Sequence, residues 1–130
     1  MRTALLADIH ANLSALTAVL ADIRESQVEA FACLGDTVGY GAEPRQCVEM
    51  VRALDCPCVM GNHDYYTIID SPKIDEMLAA PDVEDEPVWS GIKHAREQLE
   101  EEELAWLRNP VSITHVQGSI SSPSRLLAGH

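Results

Sequence analysis

Three short apolar runs divide the first sixty residues, and helical patterns fill the two intervals between them. The runs cover residues 3–7, 30–34 and 56–60, and their length is typical of buried strands. Apolar residues at helical spacing follow Asn12, which is placed to cap a helix, and Pro44, which suits a first helical turn. Continuous apolar strands are typical of parallel sheets buried on both faces. The order therefore predicts an α/β fold with a parallel βαβαβ core.

Polar side chains follow each of these three runs, at the point where each predicted strand ends. Right-handed crossovers place the carboxyl ends of the strands along one edge of the sheet, where open α/β folds bind their ligands. One such residue alone is explained equally well by a turn or a helix cap. Their occurrence at three successive strand ends indicates a shared site, made of Asp8, His10, Asp36, Asn62 and His63.

The chemistry of these side chains indicates a metal site. In extended backbone, residues two apart point to the same side, so Asp8 and His10 are expected to reach one cation. Nitrogen and oxygen donors without a thiolate favour manganese, iron, zinc or magnesium. A carboxylate placed between two other ligand groups can bridge two metal ions about 3.5–4 Å apart, the arrangement that serves displacement at phosphorus.

The second half of the chain has a looser pattern. Residues 70–88 contain three prolines and an acidic run, which predict an exposed excursion with one short helix near 74–78. Helix is predicted again from residue 88 until Asn109 and Pro110, followed by a strand over 111–116. No domain boundary is evident, so residues 1–130 are predicted to form one partial domain.

Composition excludes several classes of partner. The chain has 21 acidic and 9 basic residues and a formal charge of −12, which argues against nucleic acid and against anionic membrane surfaces. Neither a membrane-spanning run nor a secretory signal is evident, so a cytoplasmic location is expected. The four cysteines lack the usual zinc or redox spacing, and reduced, buried thiols are expected rather than disulfides or a metal site; they are Cys33, Cys47, Cys56 and Cys58.

Three motifs together resemble those of the calcineurin-like metallophosphoesterases. They are Asp-x-His at Asp8 and His10, Gly-Asp-x-Val-Gly-Tyr-Gly over 35–41, and Gly-Asn-His-Asp over 61–64. The similarity runs from residue 1 to about residue 110, and the chain looks most like the YfcE-like branch of small bacterial and archaeal phosphodiesterases. The resemblance implies the N-terminal half of that family's α/β sandwich, with the second sheet largely missing.

The resemblance also implies roles for the site residues. Asp8 and His10 would bind a first divalent ion, Asp36 would bridge both ions, and Asn62 would bind the second. Manganese is the expected metal, with iron, zinc, magnesium and nickel as alternatives, and a metal-bound hydroxide would attack a small phosphoester substrate. His63 would stabilise the phosphoryl oxygens or protonate the leaving oxygen. The residue after it, at position 64, would either orient its neighbours or cap the next segment.

The chain departs from the family pattern in two places. Gly39 and Tyr40 stand where the protein phosphatases of the family carry Asp and Arg, which favours a small diester or a nucleotide as substrate. The family's later histidine motifs are incomplete: residues 117–119 resemble one of them with Gln in the His position, and His115 and His130 are candidate replacements. The sequence thus resembles a C-terminally truncated member. A remnant that binds metal or phosphate weakly, without turnover, is the alternative function, and a homo-oligomer is one way to cover the open sheet face.

Overall fold

A computed structural model of the protein describes residues 2–110 and contains a small parallel sheet. Strand β1 (Thr3–Leu6) pairs in parallel with strand β2 (Ala30–Cys33), and Leu6 lies opposite Cys33. Helix α1 (Leu13–Glu25) connects the two strands. This β-α-β unit confirms the predicted parallel α/β fold.

The third apolar run joins the sheet at one residue. Cys58 forms a single parallel bridge with Cys33, whose N–H donates to the Pro57 carbonyl at 2.8 Å and whose carbonyl accepts the Val59 N–H at 3.0 Å. A full strand over 56–60 was expected, and the structure has only this bridge. The reason lies in Pro57, because proline has no N–H to donate to a ladder.

The first two helices begin where their sequence signals place them. Helix α1 is capped by Asn12, whose side-chain oxygen accepts the Ala15 N–H at 3.0 Å. Helix α2 (Pro44–Ala53) has Pro44 as its first residue, where the missing N–H leaves no helical hydrogen bond unmade. Both sequence predictions are confirmed.

Four further helices follow in the second half of the described chain. They are α3 (Asn62–Ile68), α4 (Pro72–Leu78), α5 (Pro87–Gln98) and α6 (Glu101–Arg108), with a 3-10 turn at Val83–Asp85. Helix α4 confirms the short helix expected near 74–78, and α5 and α6 confirm the helical pattern that ends before Pro110. Helix α3 was not expected.

The core lies between the sheet and the helices. It joins Leu16 of α1, Val48 of α2, Ala95 of α5 and Leu107 of α6 to the buried residues of the strands. Burial on both faces of the sheet was expected, but Leu5 is 48% exposed. Helices α5 and α6 pack against α2 and α3, and the face at Leu5 stays partly open.

The structure also bears on the cysteine and membrane predictions. All four cysteines are free and buried, as expected, and burial raises the pKa of the Cys47 thiol to about 11. Across residues 2–110, every helix is too short or too polar to cross a membrane. The strand expected over 111–116, the motif at 117–119 and the candidate ligands His115 and His130 lie outside the described residues.

Candidate metal centre

The loops that follow β1 and β2 are joined by backbone hydrogen bonds that extend the strand pairing. The His10 N–H donates to the Asp36 carbonyl and the Ala11 N–H to the Thr37 carbonyl, both at 2.8 Å. The Gly41 N–H donates back to the His10 carbonyl at 2.9 Å. The two loops therefore hold each other in position at the carboxyl end of the sheet.

Three of the predicted site residues have left-handed backbone. The φ angles are 55° at Asp8, 49° at His10 and 57° at Asp36. Residues other than glycine rarely adopt this region. The expectation that Asp8 and His10 share extended backbone is therefore wrong. The hydrogen bonds between the loops impose the turn, and backbone strain of this kind is concentrated at functional sites.

Asp8, His10 and Asp36 bring their side chains together despite this difference. One ligand atom from each lies within 4.8 Å of the others. Asp8 is exposed, and the other two are partly buried. Two carboxylates and an imidazole at this spacing provide the nitrogen and oxygen donors that suit a hard or borderline divalent cation.

The imidazole of His10 is oriented as in a metal ligand. Its Nδ1 lies 3.2 Å from the Val38 carbonyl, and a carbonyl accepts hydrogen bonds, so this nitrogen carries the proton. The lone pair is then at Nε2, which lies 3.7 Å from Asp8 Oδ1. A carboxylate and an imidazole lone pair that face each other both favour a cation between them, and a backbone carbonyl on the other nitrogen is typical of metal-binding histidines.

Asp36 also contacts the third motif. Its Oδ1 accepts the His63 N–H at 2.9 Å, and the second oxygen of the carboxylate can then bind a cation. The close contact between Asp36 and this motif requires glycine at position 61, because a Cβ on Gly61 would lie 2.3 Å from both the Asp36 nitrogen and Oδ1. The Gly-Asn-His-Asp motif at 61–64 therefore packs directly against Asp36, the candidate bridging ligand.

Asp64 is buried behind the centre and accepts four backbone N–H groups. Its Oδ2 accepts from Asp36 at 2.9 Å and from Gly61 at 3.2 Å; its Oδ1 accepts from Thr37 at 2.9 Å and from Val38 at 3.2 Å. Burial raises the pKa of this carboxyl to about 6. The sequence left two roles open, and the structure shows both, since Asp64 caps α3 at Gly61 and orients the loop after β2.

The remaining polar candidates differ in their placement. Asn62 is exposed at the first position of α3, directly after Gly61; its role as a metal ligand stays a prediction. His94 lies on α5 with Nε2 2.9 Å from the Ala42 carbonyl, outside the group formed by Asp8, His10 and Asp36.

His63 lies beside His10, with ring centroids 4.8 Å apart. Desolvation lowers the pKa of His63 below its ordinary 6.5, and the neighbouring His10 lowers it further. Its Nδ1 is buried without a hydrogen-bond partner among residues 2–110. A Cβ at Gly39 would lie 2.2 Å from this nitrogen, so only glycine leaves room for the ring.

Comparison with known proteins supports the same interpretation of these motifs. The family model for calcineurin-like phosphoesterases matches residues 1–124. The chain belongs to the calcineurin-like phosphoesterase family.

Two individual proteins are similar to this member of the family, and in each of them the similarity covers less than half of the protein's length. The crystal structure of a metallophosphoesterase from Sphaerobacter thermophilus superimposes with a TM-score of 0.64 at 36% identity, covering 84% of this chain and 41% of that one. The uncharacterized protein MJ0912 from Methanocaldococcus jannaschii is 56% identical over 62 residues, which are 48% of this chain and 26% of that protein. This chain thus spans less than half the length of either one.

The unpartnered nitrogen of His63 faces Gly39, one of the two positions where the chain departs from the protein phosphatases. Protein phosphatases of the family carry Asp where this calcineurin-like chain has Gly39, and a side chain at that position would point at His63 Nδ1. Sequence reasoning noted the missing carboxylate but gave no role to Tyr40. The sequence feature that could have identified Tyr40 is its position as a bulky aromatic residue between two glycines, in a turn directly beside the predicted ligands.

Proposed function

We propose that this chain is a metal-dependent phosphoesterase that hydrolyses phosphodiester or phosphomonoester bonds with two divalent ions. The observation that carries the proposal is the grouping of Asp8, His10 and Asp36, whose ligand atoms lie within 4.8 Å of one another in a member of the calcineurin-like family. A small phosphoester is the proposed substrate, because the charge of −12 disfavours binding to nucleic acid.

The chain's own residues divide the binding of the two ions between them. Asp8 and His10 would hold the first ion, Asn62 the second, and Asp36 both. When bound, the ions supply Lewis-acid charge at the phosphoryl oxygens and lower the pKa of a coordinated water. Manganese is the proposed metal, with iron, zinc, magnesium or nickel as alternatives.

His63 is proposed as a hydrogen-bond donor to a phosphoryl oxygen. Desolvation and the neighbouring His10 lower the pKa of His63, and protonation of the leaving oxygen is its second proposed role. Nδ1 is buried without a partner among the described residues, so the single proton is better placed at Nε2. A donor fixed before the reaction stabilises developing charge without having to reorganise.

Asp64 is proposed as a positioning residue that does not contact substrate. It binds the Asp36 N–H with one carboxylate oxygen and the Thr37 N–H with the other. The orientation of the bridging candidate therefore depends on a buried group behind it. The cytoplasmic location, the single partial domain and a homo-oligomer covering the face at Leu5 stay predictions.

Hydrolysis of bis-p-nitrophenyl phosphate with and without Mn²⁺ tests the function. The wild-type protein is expected to show turnover stimulated by Mn²⁺, and Asp36→Asn is expected to lose both this turnover and bound metal. The asparagine retains an oxygen for the His63 N–H, so the fold should persist. Asp70→Asn, at an exposed aspartate after α3, is the matched control.

Two results would contradict the proposal. Turnover that is unchanged in Asp36→Asn would remove the bridging role. Absence of turnover in folded, metal-loaded protein would favour the alternative, a chain that binds metal or phosphate without catalysis.

A further inference from the structure

Tyr40 lies against both histidines of the candidate centre. Its ring centroid is 5.0 Å from that of His10, with the planes at 82°, and 4.9 Å from that of His63, with the planes at 36°. The three rings thus form a continuous aromatic group beside Asp8 and Asp36. Tyr40 forms one side of this group and is the member with no proposed role in metal or phosphate binding.

Core packing does not account for the tyrosine. The residue is 52% exposed, so much of its apolar surface remains in water. Its φ is 60°, a left-handed conformation that is unfavourable for a bulky side chain and that glycine or asparagine adopts more easily. A large exposed ring in strained backbone at the edge of a site points to a role in that site.

The backbone of Tyr40 is fixed from two sides. Helix α5 approaches so closely that a Cβ at Gly91 would lie 2.2 Å from the Tyr40 nitrogen. On the other side, the Gly41 N–H donates to the His10 carbonyl at 2.9 Å and is 2.7 Å from the Gly39 carbonyl. The ring is therefore carried by a segment that cannot easily move away from the histidines.

The chemistry of the ring selects its ligand. The face of a phenol ring carries partial negative charge and does not attract a phosphate group, and the neutral hydroxyl does not supply the positive charge of an anion-binding arginine. The same face stacks well on a flat aromatic ring. Resting on the proposed phosphoesterase function, we propose that Tyr40 is a specificity residue that packs against the organic group of the substrate and selects phosphoesters bearing a flat aromatic ring.

Two kinds of substrate share this chemistry, aryl phosphoesters and nucleotides, and calorimetry distinguishes them. Protein loaded with Mn²⁺ is titrated with phenylphosphonate and methylphosphonate, which differ by the ring and are not hydrolysed as esters. A second pair, the 5′-phosphonate analogues of AMP and of ribose 5-phosphate, differs by the base and is likewise not hydrolysed as an ester. The wild-type protein is expected to prefer the ringed member of at least one pair, and that pair identifies the source of the ring.

Three variants distinguish the effect of the Tyr40 ring on binding from the effect of its hydroxyl and from effects on folding. Tyr40→Asn removes the ring yet tolerates left-handed backbone, and it is expected to weaken binding of the preferred ringed ligand about three- to tenfold while the partner without the ring changes less than about twofold. Tyr40→Phe is expected to bind like the wild type. Tyr65→Ala, at a tyrosine on α3 with similar exposure (46%), is the control. In turnover assays of an aryl ester, the Asn variant should raise KM more than it lowers kcat.

Each other outcome has a definite meaning. Equal loss of both ligands in Tyr40→Asn would overturn the proposal. A loss in Tyr40→Phe would also overturn it and would assign the residue a phosphate-directed hydroxyl. No preference for a ring in the wild type would also overturn it. Ring-dependent binding without hydrolysis of any ester would uphold this inference and overturn the proposed function, so the two failures are distinguishable.

Discussion

The carboxylate of Asp64 holds the backbone of Asp36, because its Oδ2 accepts the Asp36 N–H at 2.9 Å. Asp36 in turn uses its own Oδ1 to accept the His63 N–H at 2.9 Å. A buried aspartate, a candidate bridging ligand and a candidate catalytic histidine thus form one hydrogen-bonded series. We therefore expect substitution of Asp64 to affect the candidate metal centre as strongly as substitution of Asp36 or His63.

Replacement of Asp64 by asparagine is expected to destabilise the protein and weaken metal binding together. The amide offers one acceptor oxygen in place of two, and each buried N–H left without an acceptor costs about 1–3 kcal/mol. Urea unfolding and calorimetric titration with Mn²⁺ measure the two effects. Asp70→Asn, on the surface, should change neither. Wild-type metal affinity in Asp64→Asn would contradict the positioning role.

Replacement of His63 by alanine is expected to lower turnover about 10²–10³-fold, the usual effect of removing one donor that stabilises transition-state charge. Metal content should stay at the wild-type level, because the imidazole is proposed to bind substrate and not metal. Elemental analysis of the purified variant checks this. His94→Ala removes an imidazole outside the cluster and should leave both quantities unchanged. Loss of metal from His63→Ala would make His63 a ligand.

The pKa of His63 is expected to lie below 6.5 in metal-free protein, since desolvation and then the neighbouring His10 disfavour its protonated form. An NMR titration of the ring carbons measures it directly. As the pH falls below 6.5, the unfolded chain takes up a proton that the folded protein does not, so the free energy of unfolding decreases. This decrease should be smaller in His63→Gln, and equal decreases would contradict the lowered pKa.

Replacement of Gly39 by alanine is expected to displace the His63 ring. The new methyl group would lie 2.2 Å from Nδ1, and a residue other than glycine at φ +96° adds a backbone cost of about 1–2 kcal/mol. Turnover with Mn²⁺ should fall, and the NMR signals of His63 should shift. In a His63→Ala background the same substitution should have a smaller effect on stability. Independent, additive effects of the two changes would show that the contact is unimportant.

The elements that the sequence predicts well are those with local signals. Helix α1 follows the Asn12 cap and α2 begins at Pro44, and both require only neighbouring residues. The left-handed turn at Asp8 was missed because it depends on contacts with the loop after β2. Helix α3 was missed for a similar reason, since its N-terminus is held through Asp64 by groups nearly thirty residues earlier.

The left-handed loops after β1 and β2 also bear on how quickly an ion is exchanged. Their unfavourable dihedral angles at Asp8, His10 and Asp36 are set by backbone hydrogen bonds that form when the chain folds. An ion binding at this candidate centre would therefore find Asp8, His10 and Asp36 already arranged, with little further ordering of the loops required. We expect the association rate to depend on how readily the ion releases its own hydration water, so that Mn²⁺ enters faster than the more slowly dehydrating Mg²⁺.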